Sequence, residues 1–291
     1  VTVMMSDLRG FTTLSERLPA EKVVAVINRY LGAMTEIIME YEGTIEEFMG
    51  DGIKATFGTL ADESGHAERA TACAIAMQRA MTEVNTANVA AGIPEIEMGI
   101  GLHTGKAVVG NIGSKKRAKY GVFGRHVNLA ARIESYTIGG QILMSEFTRD
   151  ELDNELQLGE SWKIEPKGVQ HPITVYDIRG IGAPHDIYID NVDEDPLITL
   201  PEPLPVRLRV LVEKDAGGAE HRVELQGLGR RRARLRTQTP IAAHDHILLL
   251  VSDSTQPEPH EVYAKAITAG DGSVVLHFTS LPEVVQAAFQ R

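Results

Sequence analysis

The sequence has few cysteines, few aromatic residues, no long apolar run and a shortage of basic charge. Its 291 residues include one cysteine, Cys73, which excludes an internal disulfide and fits a reducing compartment. No apolar run approaches the roughly 20 residues of a membrane-spanning helix, and no signal-peptide pattern stands at the start. We therefore expect a cytoplasmic protein with no membrane insertion in this segment.

The charge balance is acidic, with 40 Asp and Glu against 29 Lys and Arg and a net charge of −11. Nucleic-acid-binding domains usually carry a basic face, so this balance predicts no nucleic-acid partner and favours a small-molecule ligand. Hydrophobic residues make up 43% of the chain, enough for one large core or two modest ones. The chain starts at Val1 inside an apolar run typical of a strand, so we expect it to begin downstream of a natural N-terminus. Any upstream regulatory domain is unknown.

The first 180 residues show a recognisable order of elements. Hydrophobic periodicity predicts a strand over 1–5, a helix over 19–43, a hairpin over 44–58, a helix over 66–89 and a strand over 96–102. Later segments predict a helix over 127–136 and short closing strands near Ile178. Strand, helix, hairpin, helix, strand is the ferredoxin-like βαββαβ order, here with additions, and it predicts an α+β fold.

The composition changes at residue 181. Residues 181–204 contain four prolines, six acidic residues and no Lys or Arg, which is typical of a linker. Residues 205–291 contain short β-rich runs at 206–212, 246–251, 262–268 and 274–279, followed by a helix signal after Pro282. This pattern predicts a small C-terminal β-barrel or sandwich.

Two aspartates are candidate metal ligands. Asp7 ends the first strand, and Asp51 lies in a Gly-Asp-Gly turn at the centre of the hairpin. Carboxylates at such positions suit a pair of hard divalent cations bound with a triphosphate. On local grounds, Asp51 also fits an ordinary turn residue and Asp7 a strand-end cap.

Three further segments could contact phosphate. Gly10, Phe11 and Thr12 form a turn into a helix, where backbone N–H groups can face phosphate oxygens. Asn128 and Arg132 lie one helical turn apart on one face, and Arg132 could donate to a phosphorus centre. Lys167, before Gly168, could neutralise a terminal phosphate. The alternative for both cations is a solvated surface residue.

Taken together and in this order, these segments resemble the class III nucleotidyl cyclase catalytic domain over about the first 180 residues. The resemblance is carried by Asp7-Leu-Arg-Gly-Phe-Thr, Phe48-Met-Gly-Asp-Gly-Ile-Lys-Ala-Thr-Phe-Gly58, Gly101-Leu-His-Thr-Gly105, Val109-Gly-Asn-Ile-Gly113, Tyr120-Gly-Val-Phe-Gly124, Val127-Asn-Leu-Ala-Ala-Arg132 and Lys167-Gly168. One departure is Arg125-His126, where family members often carry Asp-Thr or Asp-Ala. This departure affects the expected local geometry of the subunit interface. His126 fits either a surface residue at the start of the helix or a proton shuttle.

The resemblance implies a site shared between two subunits of a homodimer. Asp7 and Asp51 would hold two Mg²⁺ or Mn²⁺ ions, while Asn128 of the other subunit would orient the ribose. Arg132 would stabilise the transition state, and Lys167 would hold the terminal phosphates. The reaction implied is attack of the ribose 3′-oxygen on the α-phosphorus with release of pyrophosphate.

Two positions bear on the choice of base. Adenylyl members of the family place Lys where Glu47 stands and Asp or Thr where Gly121 stands, and guanylyl members place Glu and a small residue there. An ionised Glu47 can accept hydrogen bonds from guanine N1–H and the 2-amino group, whereas adenine would present a lone pair. We therefore expect a guanylate cyclase acting on GTP. The alternatives are an adenylate cyclase and a catalytically inactive nucleotide-binding regulator, and Glu47 also fits an exposed edge-strand residue.

Residues 205–280 resemble, more weakly, a PilZ-type β-barrel. The resemblance rests on Arg222-Val-Glu-Leu, the glycines at 227 and 229, Ala233-Arg-Leu-Arg-Thr and Val274-Val-Leu-His-Phe-Thr. The cyclic di-GMP motifs of that family, Arg-x-x-x-Arg and Asp/Asn-x-Ser-x-x-Gly, are not intact here. We expect an interaction or dimer-supporting module.

Overall fold

The computed structural model describes residues 1–59, 64–114, 117–166, 168–189, 196–211, 219–252, 259–270, 272–281 and 285. The chain forms two compact units, one comprising Val1–Phe11 and Ser15–Val192 and the other comprising Thr12–Leu14 and Asp193–Arg291. No helix among the described residues is long and apolar enough to cross a membrane.

The first unit contains the elements that place the candidate site residues. In chain order they are β1 (Thr2–Arg9), α1 (Phe11–Arg17), α2 (Ala20–Glu40), β2 (Thr44–Met49), β3 (Gly52–Phe57), α3 (His66–Ala90), β4 (Glu97–Thr104), β5 (Val108–Ser114), β6 (Arg117–Phe123), α4 (Arg125–Ser135), β7 (Ile142–Ser145), α5 (Glu146–Arg149), β8 (Leu156–Ile164), β9 (Ile173–Ile181) and β10 (Ile187–Tyr188). The main sheet has the order β10-β9-β7-β4-β1-β3-β2, with β8 paired to β9. The predicted ferredoxin-like order is confirmed, because β1 pairs antiparallel with both β3 and β4.

The core of this unit follows from continuous apolar runs and helical spacing. Residues 2–6 of β1 are all buried, as expected for a central strand covered on both faces. The buried residues of α2 recur every four positions at Val26, Tyr30, Met34 and Ile38, which places one face on the sheet. Cys73 is buried in α3, and burial raises the pKa of its thiol, so it packs as a small hydrophobic residue.

Strands β5 and β6 form a separate two-stranded sheet that the sequence did not predict as a hairpin. Six of the seven β5 residues are exposed, and glycines interrupt the run, so there is no apolar alternation to reveal a strand. Pairing sets Gly110 opposite Gly121 and Val109 opposite Val122. This hairpin leads directly into α4.

The second unit is a closed barrel, as predicted. Its strands are β11 (Ile198–Leu211), β12 (His221–Leu228), β13 (Arg232–Arg236), β14 (His246–Val251), β15 (His260–Gly270) and β16 (Ser273–Ser280). They close in the order β11-β12-β13-β16-β15-β14 around an aliphatic interior that includes Leu208, Leu235 and Leu276. The helix expected after Pro282 falls largely outside the described residues.

The linker is shorter than the predicted 181–204. Ile181 still belongs to β9, and Ile187–Tyr188 pair with β9 as an edge of the main sheet. At the other end, Ile198, Thr199 and Leu204 already pair with β12 of the barrel. Edge strands tolerate proline, so the composition that predicts a linker extends into β10 at one end and β11 at the other.

Candidate active site

The two candidate metal ligands lie at the paired ends of β1 and β3. Ser6 pairs with Ile53, so antiparallel register brings Asp7 opposite Gly52, the residue after Asp51. A Cβ at Gly52 would lie 3.3 Å from Asp7 Oδ1 and 3.2 Å from the Ser6 carbonyl oxygen. Gly50 has φ of 68°, the left-handed conformation that turns the chain between β2 and β3. The absence of a side chain at Gly52 therefore lets the Asp7 carboxylate and the backbone of the turn approach each other closely.

The buried hydroxyl of Tyr30 is affected by the charges of both aspartates. Its buried hydroxyl lies 3.2 Å from Ser6 Oγ and donates to Met98 Sδ, also at 3.2 Å. Burial raises the pKa of Tyr30, and the carboxylates of Asp7 and Asp51 raise it further. Both carboxylates therefore act electrostatically on one buried phenol, which stays protonated.

The donor set at this point fits hard divalent cations. Within the described ranges, no group of three or more His, Cys, Asp or Glu side chains is placed to hold a metal ion alone. Asp7 and Asp51 offer carboxylate oxygens, the ligands that Mg²⁺ and Mn²⁺ prefer, and both residues are half-buried. Mg²⁺ commonly takes one or two protein carboxylates and completes its shell with substrate phosphates and water.

The turn after β1 has the expected form. Gly10 adopts φ of 66°, and α1 begins at the next residue. Phe11 is 5% exposed and anchors the start of this short helix, whereas Thr12 is exposed. The chain at Gly10, Phe11 and Thr12 therefore turns sharply three residues after Asp7.

Helix α4 presents the other predicted pair. Val127 and Ala130 pack against Val3 and Met5 of β1, which leaves Asn128 exposed and Arg132 half-buried on the outer face. A Cβ at Gly168 would lie 3.5 Å from Arg132 Nη1, so the loop before β9 approaches this guanidinium. Lys167 itself lies outside the described residues. Its neighbour Gly168 nevertheless brings that loop to Arg132.

Arg9 is a buried link between β1 and α4. It forms an ion pair with Glu134 and donates to Thr137 Oγ1 at 2.8 Å. Burial lowers the pKa of this guanidinium, and the nearby Asp7 charge opposes that effect. The strand that carries Asp7 is thereby tied to the last turn of the helix that carries Arg132.

The two predicted base-pocket residues, Glu47 and Gly121, lie on β2 and β6. Glu47 is exposed on β2, opposite Lys54 of β3. The carboxylate nearest to Gly121 belongs to the preceding residue, Glu46, whose Oε2 would lie 2.9 Å from a Cβ at Gly121. Glu46 was missed because a bulge between Ile45 and Glu47 breaks the simple alternation of faces along β2.

His126 is not a simple surface residue. Arg125 Nε donates to His126 Nε2 at 3.1 Å, so His126 carries its proton on Nδ1 and donates to His103 Nε2 at 2.8 Å. His103 then donates from Nδ1 to Ser145 Oγ at 2.8 Å. Burial lowers the pKa of His103 to about 3, so it is neutral at ordinary pH. The chain of hydrogen bonds fixes the start of α4.

In the barrel, the arginines of β11 are engaged with an acidic residue. Arg207 Nη1 donates to Glu220 Oε1 at 2.7 Å, and Arg209 Nη2 donates to Glu220 Oε2 at 3.0 Å. All three side chains are partly exposed. Arg207 and Arg209, which lack the Arg-x-x-x-Arg spacing of the cyclic di-GMP motif, thus share one carboxylate.

These features define a nucleotidyl cyclase fold with strand-end carboxylates and a helix-borne Asn/Arg pair. Residues 1–180 match the family model described as the adenylate and guanylate cyclase catalytic domain. The chain belongs to this family. The prediction of a class III nucleotidyl cyclase domain is confirmed, while the PilZ-type resemblance of the barrel stays a prediction.

Relatives with both base specificities are similar to the chain. It is 33% identical over 183 residues to adenylate cyclase 1 of Rhizobium meliloti, covering 62% of the chain and 28% of that protein. The crystal structure of the guanylyl cyclase Cya2 is 47% identical, with a TM-score of 0.63, and covers 65% of the chain and 96% of Cya2. The adenylyl cyclase CyaB from P. aeruginosa is 36% identical, with a TM-score of 0.58, over 62% of the chain and 93% of CyaB. The chain spans little more than a quarter of the Rhizobium protein.

Proposed function

We propose that the chain is a guanylate cyclase that converts GTP into 3′,5′-cyclic GMP and pyrophosphate at sites formed between two copies. The observation that carries this proposal is the antiparallel register of β1 and β3, which brings Asp7 opposite Gly52, the residue next to Asp51. Family membership supplies the reaction class. Two Mg²⁺ or Mn²⁺ ions held there would activate the ribose 3′-hydroxyl and neutralise phosphate charge.

The residues of the chain supply position and charge for this reaction. The bond that forms joins the 3′-oxygen to the α-phosphorus, the bond that breaks releases pyrophosphate, and the 3′-hydroxyl proton leaves to solvent. Arg132 would donate to the charge that develops on the phosphoryl oxygens, and Asn128 would hold the ribose. The turn at Gly10, Phe11 and Thr12 would face the phosphates with backbone N–H groups, and Lys167 would hold the terminal phosphates.

The preference for guanine rests on the carboxylates of β2 and on Gly121. Glu47 carries the acceptor in the family pattern, and Gly121 offers no side-chain acceptor for the 6-amino group of adenine. A site that accepts hydrogen bonds from guanine would leave a carboxylate unpaired against adenine, and such sites can discriminate by about 10⁴. The similarity to guanylyl cyclase Cya2 supports the same preference.

Adenylate cyclase is the second candidate, because the Rhizobium and P. aeruginosa relatives are named adenylate or adenylyl cyclases. Incubating the purified chain with GTP or ATP and Mn²⁺, and identifying the products chromatographically, separates the two. We expect kcat/KM for GTP to exceed that for ATP at least tenfold, a difference of about 1.4 kcal/mol. Equal rates, or a faster reaction with ATP, would contradict the proposal, and no cyclic product from either nucleotide would leave only a nucleotide-binding role.

A further inference from the structure

Arg9 of β1 directs its guanidinium to the end of α4. Its Nη2 forms an ion pair with the Glu134 carboxylate, and it donates to Thr137 Oγ1 at 2.8 Å and to the Glu134 carbonyl oxygen at 3.3 Å. Thr137 Oγ1 in turn donates to the same carbonyl oxygen at 2.8 Å. Carbonyl groups in the last turn of a helix lack partners within the helix, so Arg9 and Thr137 cap the end of α4.

The guanidinium of Arg9 bonds to the helix and not to the metal-site carboxylate nearest in sequence. Asp7 and Arg9 are two residues apart on β1, so their side chains leave the same face of the sheet. Among the described residues, every hydrogen bond of the Arg9 side chain ends on Glu134 or Thr137, and its buried Nε has no hydrogen-bond partner. Arg9 therefore holds the end of the helix from a strand that carries a metal ligand.

The contact is shielded from water and closely packed. The Arg9 and Glu134 side chains are 14% and 12% exposed, so dissolved ions screen their charges weakly. A Cβ at Gly99 would overlap Thr137 Oγ1 and lie 2.8 Å from Arg9 Nε. A Cβ at Gly101 would lie 2.7 Å from the Cα of Glu134. Two glycines of β4 therefore let the end of α4 lie directly against the sheet, where Arg9 holds it.

Arg132 lies in the turn of α4 that Arg9 holds, two residues before Glu134. The start of the helix is anchored separately, by the hydrogen bond of His126. Ile133 is buried in an apolar cluster beneath the last turn, so this turn should stay helical without the ion pair. Loss of the ion pair should therefore shift the last turn, and the Arg132 guanidinium with it, while the start of α4 stays in place.

We propose that Arg9 is a positioning residue for the active site of the other copy: through Glu134 it fixes the place of Arg132, which donates to the phosphoryl group bound at that copy's metal ligands. This inference rests on the proposed function, in which each site takes its metal ligands from one copy and α4 from the other. Arg9 then serves one site and Asp7 the other, although both residues lie on one strand. The alternative is that Arg9 acts on its own strand end, where its charge lies near Asp7 and Asp51.

The first test compares kcat and KM of Arg9→Gln with those of wild type, using GTP and Mn²⁺. Arg132 would donate to charge that develops in the transition state, so its displacement should lower kcat and kcat/KM equally and leave KM unchanged. Misplacement of a catalytic group by about 1 Å can cost roughly 10²-fold, and we expect kcat to fall by at least about tenfold. Arg69→Gln, which removes an α3 arginine paired with Glu42, is the matched control and should keep the wild-type kcat.

Subunit exchange decides which half of a site Arg9 serves. In a dimer of Arg9→Gln with Asp51→Ala, the site with intact metal ligands receives α4 from the Asp51→Ala copy, which retains Arg9. An equal mixture of these two variants should therefore recover about one quarter of wild-type activity. In a dimer of Arg9→Gln with Arg132→Ala, the site that contains Arg132 receives α4 from the Arg9→Gln copy. This second mixture should have only about half the activity of Arg9→Gln alone.

The two mixtures can contradict the inference in two ways. Recovery in the Arg132→Ala mixture instead of the Asp51→Ala mixture would show that Arg9 acts on its own strand end. Equal activities of the two mixtures, with exchange demonstrated by differently tagged copies, would show a general effect on the fold. Should Arg9→Gln not fold, as judged from its thermal unfolding, Glu134→Gln replaces it in both mixtures, with the same expected pattern and the same contradicting results.

The wild-type chain separates this inference from the function on which it rests. If it makes cyclic AMP and no cyclic GMP, the proposed substrate is wrong, and the same mixtures assayed with ATP still test Arg9. If it makes neither product, the proposed function and this inference both fail. If it makes cyclic GMP but a mixture of Asp51→Ala with Arg132→Ala stays inactive after exchange, the reaction stands, while the shared site and the role of Arg9 are wrong.

Discussion

The residues proposed for catalysis fall into two groups that the fold holds in different ways. Asp7 and Asp51 form a strand-borne half, placed by the antiparallel register of β1 and β3. Asn128 and Arg132 form a helix-borne half on α4, whose position depends on side-chain contacts. Those contacts are the packing of Val127 and Ala130, the Arg9–Glu134 ion pair and the His126–His103 hydrogen bond.

The two halves should differ in how well their geometry withstands changes of pH and of side chains. Backbone hydrogen bonds of a central strand do not titrate and survive most side-chain replacements. The contacts of α4 include two histidines and a buried ion pair, groups whose strength depends on pH and on exact fit. We therefore expect the helix-borne half to be the first to lose its geometry when conditions change.

The largest effect should come from two separate single substitutions, one in each half. Asp51→Ala and Arg132→Ala should each lower activity by roughly 10² or more, because each homodimer then has the same lesion in both sites. If a site takes metal ligands from one copy and Arg132 from the other, mixing the two variants creates dimers with one intact site. Random pairing makes about half the dimers mixed, so activity should recover to about one quarter of wild type.

The measurement is cyclase activity after subunit exchange between equal amounts of the two variants. Two separate preparations of Asp51→Ala, mixed in the same way, provide the control and should stay inactive. Absence of recovery, with exchange demonstrated by differently tagged copies, would show that both halves of a site come from one chain or that neither site works alone.

The packing that holds the start of α4 can be disturbed without changing a proposed catalytic residue. A Cβ at Gly105 would overlap the His126 ring, so Gly105→Ala should displace His126 and the start of α4. Overpacking of this kind costs about 2 kcal/mol. We expect the free energy of unfolding, measured in denaturant, to fall by about that amount and cyclase activity to fall with it. Gly110→Ala is the matched control, and equal stabilities of the two variants would contradict the described packing of His126.

The histidine pair should make stability depend on pH. Burial lowers the pKa of His103 from 6.5 to about 3, so the folded protein holds this ring neutral. Its contribution is complete above pH 6.5 and is lost progressively as the pH falls toward 3, because the unfolded chain then binds a proton that the folded chain excludes. At pH 5 the loss is about 2 kcal/mol relative to pH 7.5. Burial and the neighbouring Arg125 charge also lower the pKa of His126, which adds to the effect in the same direction.

Denaturant unfolding at pH 7.5 and pH 5 checks this expectation. His103→Asn removes the titrating group and should reduce the difference between the two pH values. His171→Asn replaces an exposed histidine and should keep the wild-type difference. An identical pH dependence in wild type and His103→Asn would rule out the buried pair as its source.

The smallest effect is expected in the strand-borne half. Gly52→Ala would place a Cβ 3.3 Å from Asp7 Oδ1 and 3.4 Å from the Met49 carbonyl oxygen, which requires a shift of a few tenths of an ångström. Stability should change by less than about 1 kcal/mol, while the Mn²⁺ concentration for half-maximal activity should rise. A variant with wild-type Mn²⁺ dependence would show that the close approach of Gly52 to Asp7 does not shape the metal site.

Local patterns in the sequence were sufficient to predict most of the secondary structure of the first unit. A continuous apolar run predicts β1, four-residue spacing predicts α2, and a glycine-flanked turn predicts the β2–β3 hairpin, so Asp7 and Asp51 could be assigned to a strand end and a turn. These features depend on interactions between residues close in sequence, which propensity and periodicity capture. The barrel was likewise expected from its short apolar runs, although the ends of the linker were not.

Only the tertiary structure decided which carboxylate faces Gly121 and how α4 is held. The Glu46–Val122 bond joins residues 76 positions apart, and it exists because a bulge interrupts the alternation that would have separated Glu46 from Glu47. In the same way, the sequence shows His126 at the start of a helix, but its burial depends on Gly105 and His103 meeting it from another element. Periodicity determines which face of an element is apolar, whereas the position of one side chain against a distant strand is set by how the elements pack.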